Sequence, residues 1–254
     1  MKILFITTGL GVGGAERAMF SIITQGLSAK HDIKVISLLG DGYYAKVLRD
    51  NGIETISINM HLTSIIQSIF KICKIIRRFK PNILQGWMYH GNLIAAICKL
   101  LLPNDLKLVW GIRCSLYDLM HEKFTTRIAI RASRVLSQYA DAIVYNSEIA
   151  KSQHQEFGFT NEEHLFISNG FDLNRWTPRF DQKNLARKRL NQESAQFIVG
   201  YVGRHHPQKN IPLLGRVINL LLSESAELSF VLMGRELEKT VRGELFISED
   251  LQDN

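Results

Sequence analysis

Residues 2–14 read KILFITTGLGVGG, an apolar run that passes directly into a glycine-rich loop. The run is rich in residues that favour strands, whereas residues 15–28 have the pattern of a helix. A buried strand, a glycine loop and a helix form the repeating unit of a doubly wound parallel sheet. The stretch therefore predicts an α/β fold.

The same alternation of short apolar runs and amphipathic helical segments continues along the chain. Strands are predicted at residues 2–8, 33–39, 54–58, 82–85, 107–112, 142–145 and 164–167. Helices are predicted between them, and the strongest covers residues 62–80. Together these elements predict one complete Rossmann-like domain over residues 1–170.

A second, shorter unit follows a polar and charged stretch. Residues 171–195 are expected to connect two domains, and residues 196–254 to begin a second Rossmann-like domain, with strands at 197–201 and 228–233. A full domain of this kind needs roughly 100–150 residues. We therefore expect the chain to be a fragment, a frameshifted product or a trimmed form of a longer protein.

Composition and net charge limit which binding partners are expected. The chain has 254 residues, is 46% hydrophobic and carries a net charge of +7, which is typical of a globular protein that binds anions. Phosphorylated small molecules and an acidic membrane face are partners that suit this positive charge. Nucleic acid is not expected, because basic and aromatic residues do not alternate in the sequence as they do in nucleic-acid-binding modules. The three cysteines and eight histidines lack metal or disulfide spacing. With no signal peptide or membrane span in view, the expected location is cytoplasmic.

The stretch Val202-Gly203-Arg204-His205-His206-Pro207-Gln208-Lys209-Asn210 sets two cations around a turn between a strand and a helix. A helix N-terminus offers free backbone N–H groups and a positive dipole end. Arg204 and Lys209 beside it make a diphosphate a natural ligand. A basic surface turn without a ligand is the open alternative.

Several polar segments follow strands of the first domain, where the carboxyl ends of parallel strands meet. We expect them to line one edge and to face a cleft: Gly9–Gly14, Trp87–His90, Arg113, Asn146 and Asn169. His90 sits where a strand gives way to a helix, which favours a functional role as much as a structural one.

The glycine loop matches G-x-G-x-x-G at Gly9, Gly11 and Gly14. A dinucleotide site also needs an acid at the end of the second strand, and none occurs there before Asp41. A nicotinamide-dependent oxidoreductase is thus a distant alternative. Gly13, Gly14 and Glu16 are candidates to meet a phosphate or sugar closely, and a plain tight turn stays open as well.

The predicted helix over residues 62–80 carries a basic side. Its cations are Lys71, Lys74, Arg77, Arg78 and Lys80. A basic amphipathic helix can rest on anionic lipid. A solvated polar face on a helix that covers the sheet is the commoner arrangement, and we favour it here.

Five motifs in order give the chain a family resemblance: Gly13-Gly14-Ala15-Glu16-Arg17, Trp87-Met88-Tyr89-His90, Trp110-Gly111-Ile112-Arg113, Asn169-Gly170-Phe171-Asp172 and the Val202–Asn210 stretch. Over about residues 1–235 it resembles family 4 glycosyltransferases, and more narrowly bacterial transferases of polysaccharide and O-antigen gene clusters. The resemblance implies a GT-B fold. It also implies retaining transfer of a hexose-type sugar from a nucleotide-sugar donor to a glycan or lipid-linked acceptor, with no metal or other cofactor.

The resemblance also implies roles for particular residues. Arg204 and Lys209 would bind the donor diphosphate, the Gly13-Gly14 loop would lie near the phosphate and reacting sugar, and His90 would be the catalytic histidine of the cleft. The first domain would be the acceptor side. The family's C-terminal glutamate pair has no counterpart in these 254 residues, so we expect impaired activity. A nucleotide-sugar epimerase of the same fold and a non-catalytic binding remnant are the alternatives.

Overall fold

Seven parallel strands form the sheet of the first unit, Met1–Phe171, in the order β3-β2-β1-β4-β5-β6-β7. They are β1 (Lys2–Thr7), β2 (Asp32–Ser37), β3 (Glu54–Ser57), β4 (Ile83–Trp87), β5 (Lys107–Ile112), β6 (Ala142–Tyr145) and β7 (His164–Phe166). The sheet grows one way from β1 to β3 and the other way from β4 to β7. This is the doubly wound order, and its switch point lies between β1 and β4, where α/β proteins bind ligands.

The structure is a computed structural model. It describes residues 1–102, 105–117, 119–174, 176–193, 197–203, 209–224 and 227–234. The predicted α/β class with a doubly wound sheet is confirmed.

Helices cover both faces of the sheet because successive side chains of each strand point to opposite sides. The helices of the first unit are α1 (Gly14–Ile22), α2 (Tyr43–Asp50), α3 (Ile65–Phe79), α4 (Met88–Leu101), α5 (Phe124–Leu136) and α6 (Glu148–Glu156). Ile3 and Phe5 of β1 pack with α1 and α2. Leu4 and Ile6 face the other way, into a larger core with α3, α4 and α5.

Some element boundaries differ from those predicted. Helix α1 passes into a π-helical turn at Ile23–Leu27, and α4 begins at Met88 instead of residue 91. The predicted connection over residues 171–195 contains a 3-10 turn and a helix, α7 (Lys183–Arg189). Its long polar side chains obscured the helix, because hydrophobic periodicity is weak where little is buried.

The second unit, Asp172–Asn254, contains a parallel strand pair joined by a helix. These are β8 (Phe197–Val202), α8 (Ile211–Glu224) and β9 (Leu228–Met233). Ile211 and Ile218 of the helix pack with Phe230 and Leu232 of β9. Among the described helices of both units, none is long and apolar enough to span a bilayer.

Close packing of α4 on β1 generates a stability prediction. A Cβ on Gly91 would collide with the backbone carbonyl of Ile6 and lie 3.1 Å from the Cα of Thr7. We expect Gly91→Ala to lower the free energy of unfolding by about 2 kcal/mol, although alanine is the better helix former. Urea denaturation measures the change. Gly26→Ala is the control, because nothing lies within 4 Å of a Cβ there; equal stability of the two variants would contradict the prediction.

Candidate functional site at the switch point of the sheet

The indole of Trp87 joins three segments at the carboxyl edge of the sheet. Trp87 ends β4, and its ring N–H donates a hydrogen bond to the carbonyl of Ala15 in α1, at 3.0 Å. The guanidinium carbon of Arg113 lies 4.1 Å from the centroid of the ring. On the adjacent strand, Gly111 makes room for the ring, because a Cβ there would lie 2.8 Å from its Cε3.

Arg113 also forms hydrogen bonds with two other residues predicted to line the cleft. It directly follows β5, and its Nη1 donates to Oδ1 of Asn169 at 3.3 Å. Its backbone carbonyl accepts a long hydrogen bond of 3.5 Å from Nδ2 of Asn146. The structure therefore brings Arg113, Asn146 and Asn169 together beside Trp87.

The charge of Arg113 is held in a poorly solvated position. Burial lowers the pKa of Arg113 to about 10, so the guanidinium still carries its charge at neutral pH. The face of the indole offers it a favourable electrostatic surface. A cation over an aromatic ring, at the edge where ligands collect, is suited to an anionic or sugar ligand.

The glycine loop leads into the N-terminus of α1. Gly13 is the N-cap residue and supplies no side-chain hydrogen bond. The carboxylate of Glu16 folds back so closely that a Cβ on Gly13 would collide with it, whereas Gly11 and Gly14 face open space. A carboxylate at this position interacts favourably with the positive end of the helix. A ligand phosphate would compete with Glu16 for the same place.

His90 lies in the first turn of α4, close to the switch point, and is half-buried. Burial lowers its pKa, and a backbone hydrogen bond with Thr125 acts weakly in the opposite sense. The imidazole is therefore mainly neutral at pH 7 and can accept or donate a hydrogen bond. Met88, two residues earlier, has a left-handed φ of 65°, a conformation that is strained for a side chain of this kind.

A buried polar network that the sequence did not reveal supports this segment. The hydroxyl of Tyr89 donates to Nε2 of His154 at 2.8 Å, while Nδ1 of His154 donates to the carbonyl of Ala150 at 2.6 Å. These partners assign the neutral tautomer with its proton on Nδ1. Burial lowers the pKa of His154 to about 4 and raises that of Tyr89.

Lys209 and Arg204 belong to the second unit. Lys209 is exposed in the turn before α8, and Asn210 has a φ of 45° with its carbonyl accepting from Leu213 and Leu214. Arg204 lies outside the described residues. Their joint grip on a diphosphate stays a prediction.

The described residues offer little support for dinucleotide binding or metal binding. The carboxylate of Asp41 accepts two hydrogen bonds of 2.8 Å from Arg49 and another from the hydroxyl of Ser57. These partners hold its pKa at about 2, and they occupy the oxygens that a ribose would need. Among the described residues, no group of three or more His, Cys, Asp and Glu side chains is placed to bind a metal.

Comparison with known protein families assigns the chain. The model of glycosyltransferase family 4 matches residues 12–175, and the chain belongs to this family. No curated protein sequence matches it. The Anabaena protein HepE in complex with UDP superposes with a TM-score of 0.76 at 19% identity, over 94% of this chain and 62% of HepE.

Two further solved structures show the same fold. A glycosyltransferase from Rickettsia africae gives a TM-score of 0.71 at 14% identity, over 92% of this chain and 60% of that protein. Sucrose-phosphate synthase from Thermosynechococcus elongatus gives 0.68 at 12% identity, over 92% and 62%. The predicted GT-B-like fold is confirmed, and the chain spans about three fifths of the length of these proteins.

The buried His154 makes stability depend on pH. Its pKa of about 4 in the folded chain lies below the ordinary value of 6.5 for histidine, so the unfolded chain binds more protons between these values. We expect the free energy of unfolding to fall as the pH drops from 6.5 to 4, by up to about 3 kcal/mol. Urea denaturation at several pH values tests this. His154→Gln should flatten the profile; a wild-type profile no steeper than that of the variant would contradict the role of His154.

Proposed function

We propose that the protein transfers a hexose-type sugar from a nucleotide-sugar donor to a glycan or lipid-linked acceptor, with retention of anomeric configuration. Family membership over residues 12–175 carries the proposal. HepE has been solved with UDP-glucose, which supports a UDP-sugar as the first donor to test. The first unit serves as the acceptor side, and the resemblance to O-antigen transferases suggests a role in cell-surface polysaccharide synthesis.

Departure of the nucleotide diphosphate is the step that needs charge stabilisation. In our proposal Arg204 and Lys209 stabilise the developing charge together with the N–H groups at the start of α8. An arginine grips two phosphate oxygens at once, whereas a lysine acts as a point charge. The transfer as proposed uses no metal.

His90 and the glycine loop act on the sugar in this mechanism. The neutral imidazole of His90 hydrogen-bonds to a hydroxyl of the reacting sugar, and the loop with Gly13 and Gly14 admits the sugar and phosphate closely. Glu16 moves away from Gly13 as the phosphate arrives. The family match favours a transferase, and no finding supports an epimerase.

Calorimetry with UDP-glucose and GDP-mannose tests donor binding. Arg204→Ala and Lys209→Ala should each weaken the binding of the preferred donor about tenfold or more, because each removes a charge-assisted hydrogen bond. Arg189→Ala is the control, because it removes an exposed cation of α7. Equal affinities of all three variants and the wild type would contradict the diphosphate site.

Helix α3 and the 3-10 turn before it favour contact with a membrane. Leu62, Ile66 and Phe70 are 79%, 70% and 68% exposed at four-residue spacing, and we call them the α3 stripe. Burial on this helix begins further along, at Ser68 and Ile72. The exposed cations of the same segment are Lys71, Lys74, Arg77, Arg78 and Lys80.

An apolar stripe beside five cations is complementary to an anionic lipid surface. We infer that the protein binds peripherally to the inner face of the membrane through this helix. A solvated face, which the sequence alone favoured, accounts for the cations but not for the exposed stripe.

Vesicle flotation tests the contact. Phe70→Glu should weaken binding to phosphatidylglycerol vesicles about tenfold, because it removes an inserted ring and adds repulsion. Phe124→Glu is a matched control: Phe124 is 67% exposed, but it lies on α5. Equal losses in the two variants, or equal binding of wild type to phosphatidylcholine vesicles, would contradict the inference.

A further inference from the structure

Arg113 has more hydrogen-bond donors than the described residues around it use. A guanidinium carries five N–H donors. The hydrogen bond from Nη1 to Asn169 is the one that its side chain makes within the described part of the chain, and its buried Nε has no partner. No carboxylate of the described residues forms an ion pair with it.

This is an unfavourable arrangement unless a ligand completes it. A charge that is partly removed from water loses hydration, and the indole of Trp87 replaces only part of that loss. Two other cations of the first unit are paired: Lys107 contacts Asp141 and Arg49 contacts Asp41, each at 2.8 Å. Arg113 is therefore prepared for an oxyanion that the described residues do not supply.

Asn146 supplies the complementary group. Its Nδ2 donates to the carbonyl of Arg113, whereas its Oδ1 is buried and has no hydrogen-bond partner among the residues that the structure describes. The committed Nδ2 fixes the orientation of the amide, because only the nitrogen can donate to a carbonyl. An unused acceptor beside an unused cation fits a ligand that carries a hydroxyl next to an oxyanion.

We propose that Arg113 and Asn146 form a subsite for an acidic sugar of the acceptor, one that carries a carboxylate or a phosphate next to a free hydroxyl. The oxyanion pairs with the guanidinium, and the hydroxyl donates to Oδ1 of Asn146. The ring face of Trp87 and the hydrogen bond to Asn169 hold the guanidinium in position. The acceptor role rests on the proposed transferase function, whereas binding of the acidic sugar by this subsite does not.

Titration calorimetry with three probes tests the subsite: glucuronate, glucose 6-phosphate and neutral glucose. The wild-type chain should bind at least one acidic probe about tenfold more tightly than glucose, and a comparison of the two separates a carboxylate from a phosphate ligand. Arg113→Gln should abolish this preference, and Arg113→Lys should restore only part of it because it lacks the planar fork. Arg131→Gln is the control, since Arg131 is an exposed arginine on α5.

A measurement on the wild-type protein tests the subsite even if the variants fold poorly. The indole N–H signal of Trp87 in NMR spectra should shift on addition of the acidic probe and not on addition of glucose.

Equal binding of the three probes by the wild type, or an acidic preference that survives Arg113→Gln, would overturn the proposal. A loss of UDP-glucose affinity as large as the loss of probe affinity would also overturn it, because the guanidinium would then serve the donor. Failure of UDP-glucose to bind at all, with probe binding intact, would instead count against the transferase function alone.

Discussion

The contact between Trp87 and its two neighbours determines the geometry of the candidate site. One hydrogen bond fixes the indole to the start of α1, and the face of the same ring carries the guanidinium of Arg113. The glycine loop, the end of β4 and the end of β5 are thereby held in one arrangement. Because Gly111 leaves space for the ring, a small residue on one strand permits a large one on the next.

Parallel pairing explains why this edge collects the functional groups. All strands of the sheet run the same way, so every strand-to-helix junction opens at the same side. At the switch point α1 and α4 diverge to opposite faces of the sheet. The helix N-terminus at Gly13 offers N–H groups there, and Arg113 offers a fixed cation. Both favour anions, which agrees with the net positive charge of the chain.

Much of the fold followed from the sequence because buried parallel strands produce short apolar runs with clear limits. Residues 107–112 and 142–145 are strands with the predicted bounds. The start of α4 was harder to predict, since Trp87-Met88-Tyr89-His90 contains residues typical of strands while Met88 takes a left-handed turn. Arg113, Asn146 and Asn169 were predicted to share an edge because each follows a strand. The stacking on Trp87 and the Tyr89–His154 bond depend on side-chain placement between distant segments, which residue patterns do not encode.

The central proposal is that Arg204 and Lys209 bind the diphosphate of a nucleotide-sugar donor whose sugar lies beside the glycine loop. A crystal structure of the chain with a UDP-sugar would test this most directly. We expect diphosphate oxygens within hydrogen-bond distance of both side chains, and the sugar beside Gly13 and His90. A diphosphate bound elsewhere, or with either cation turned away from it, would contradict the account.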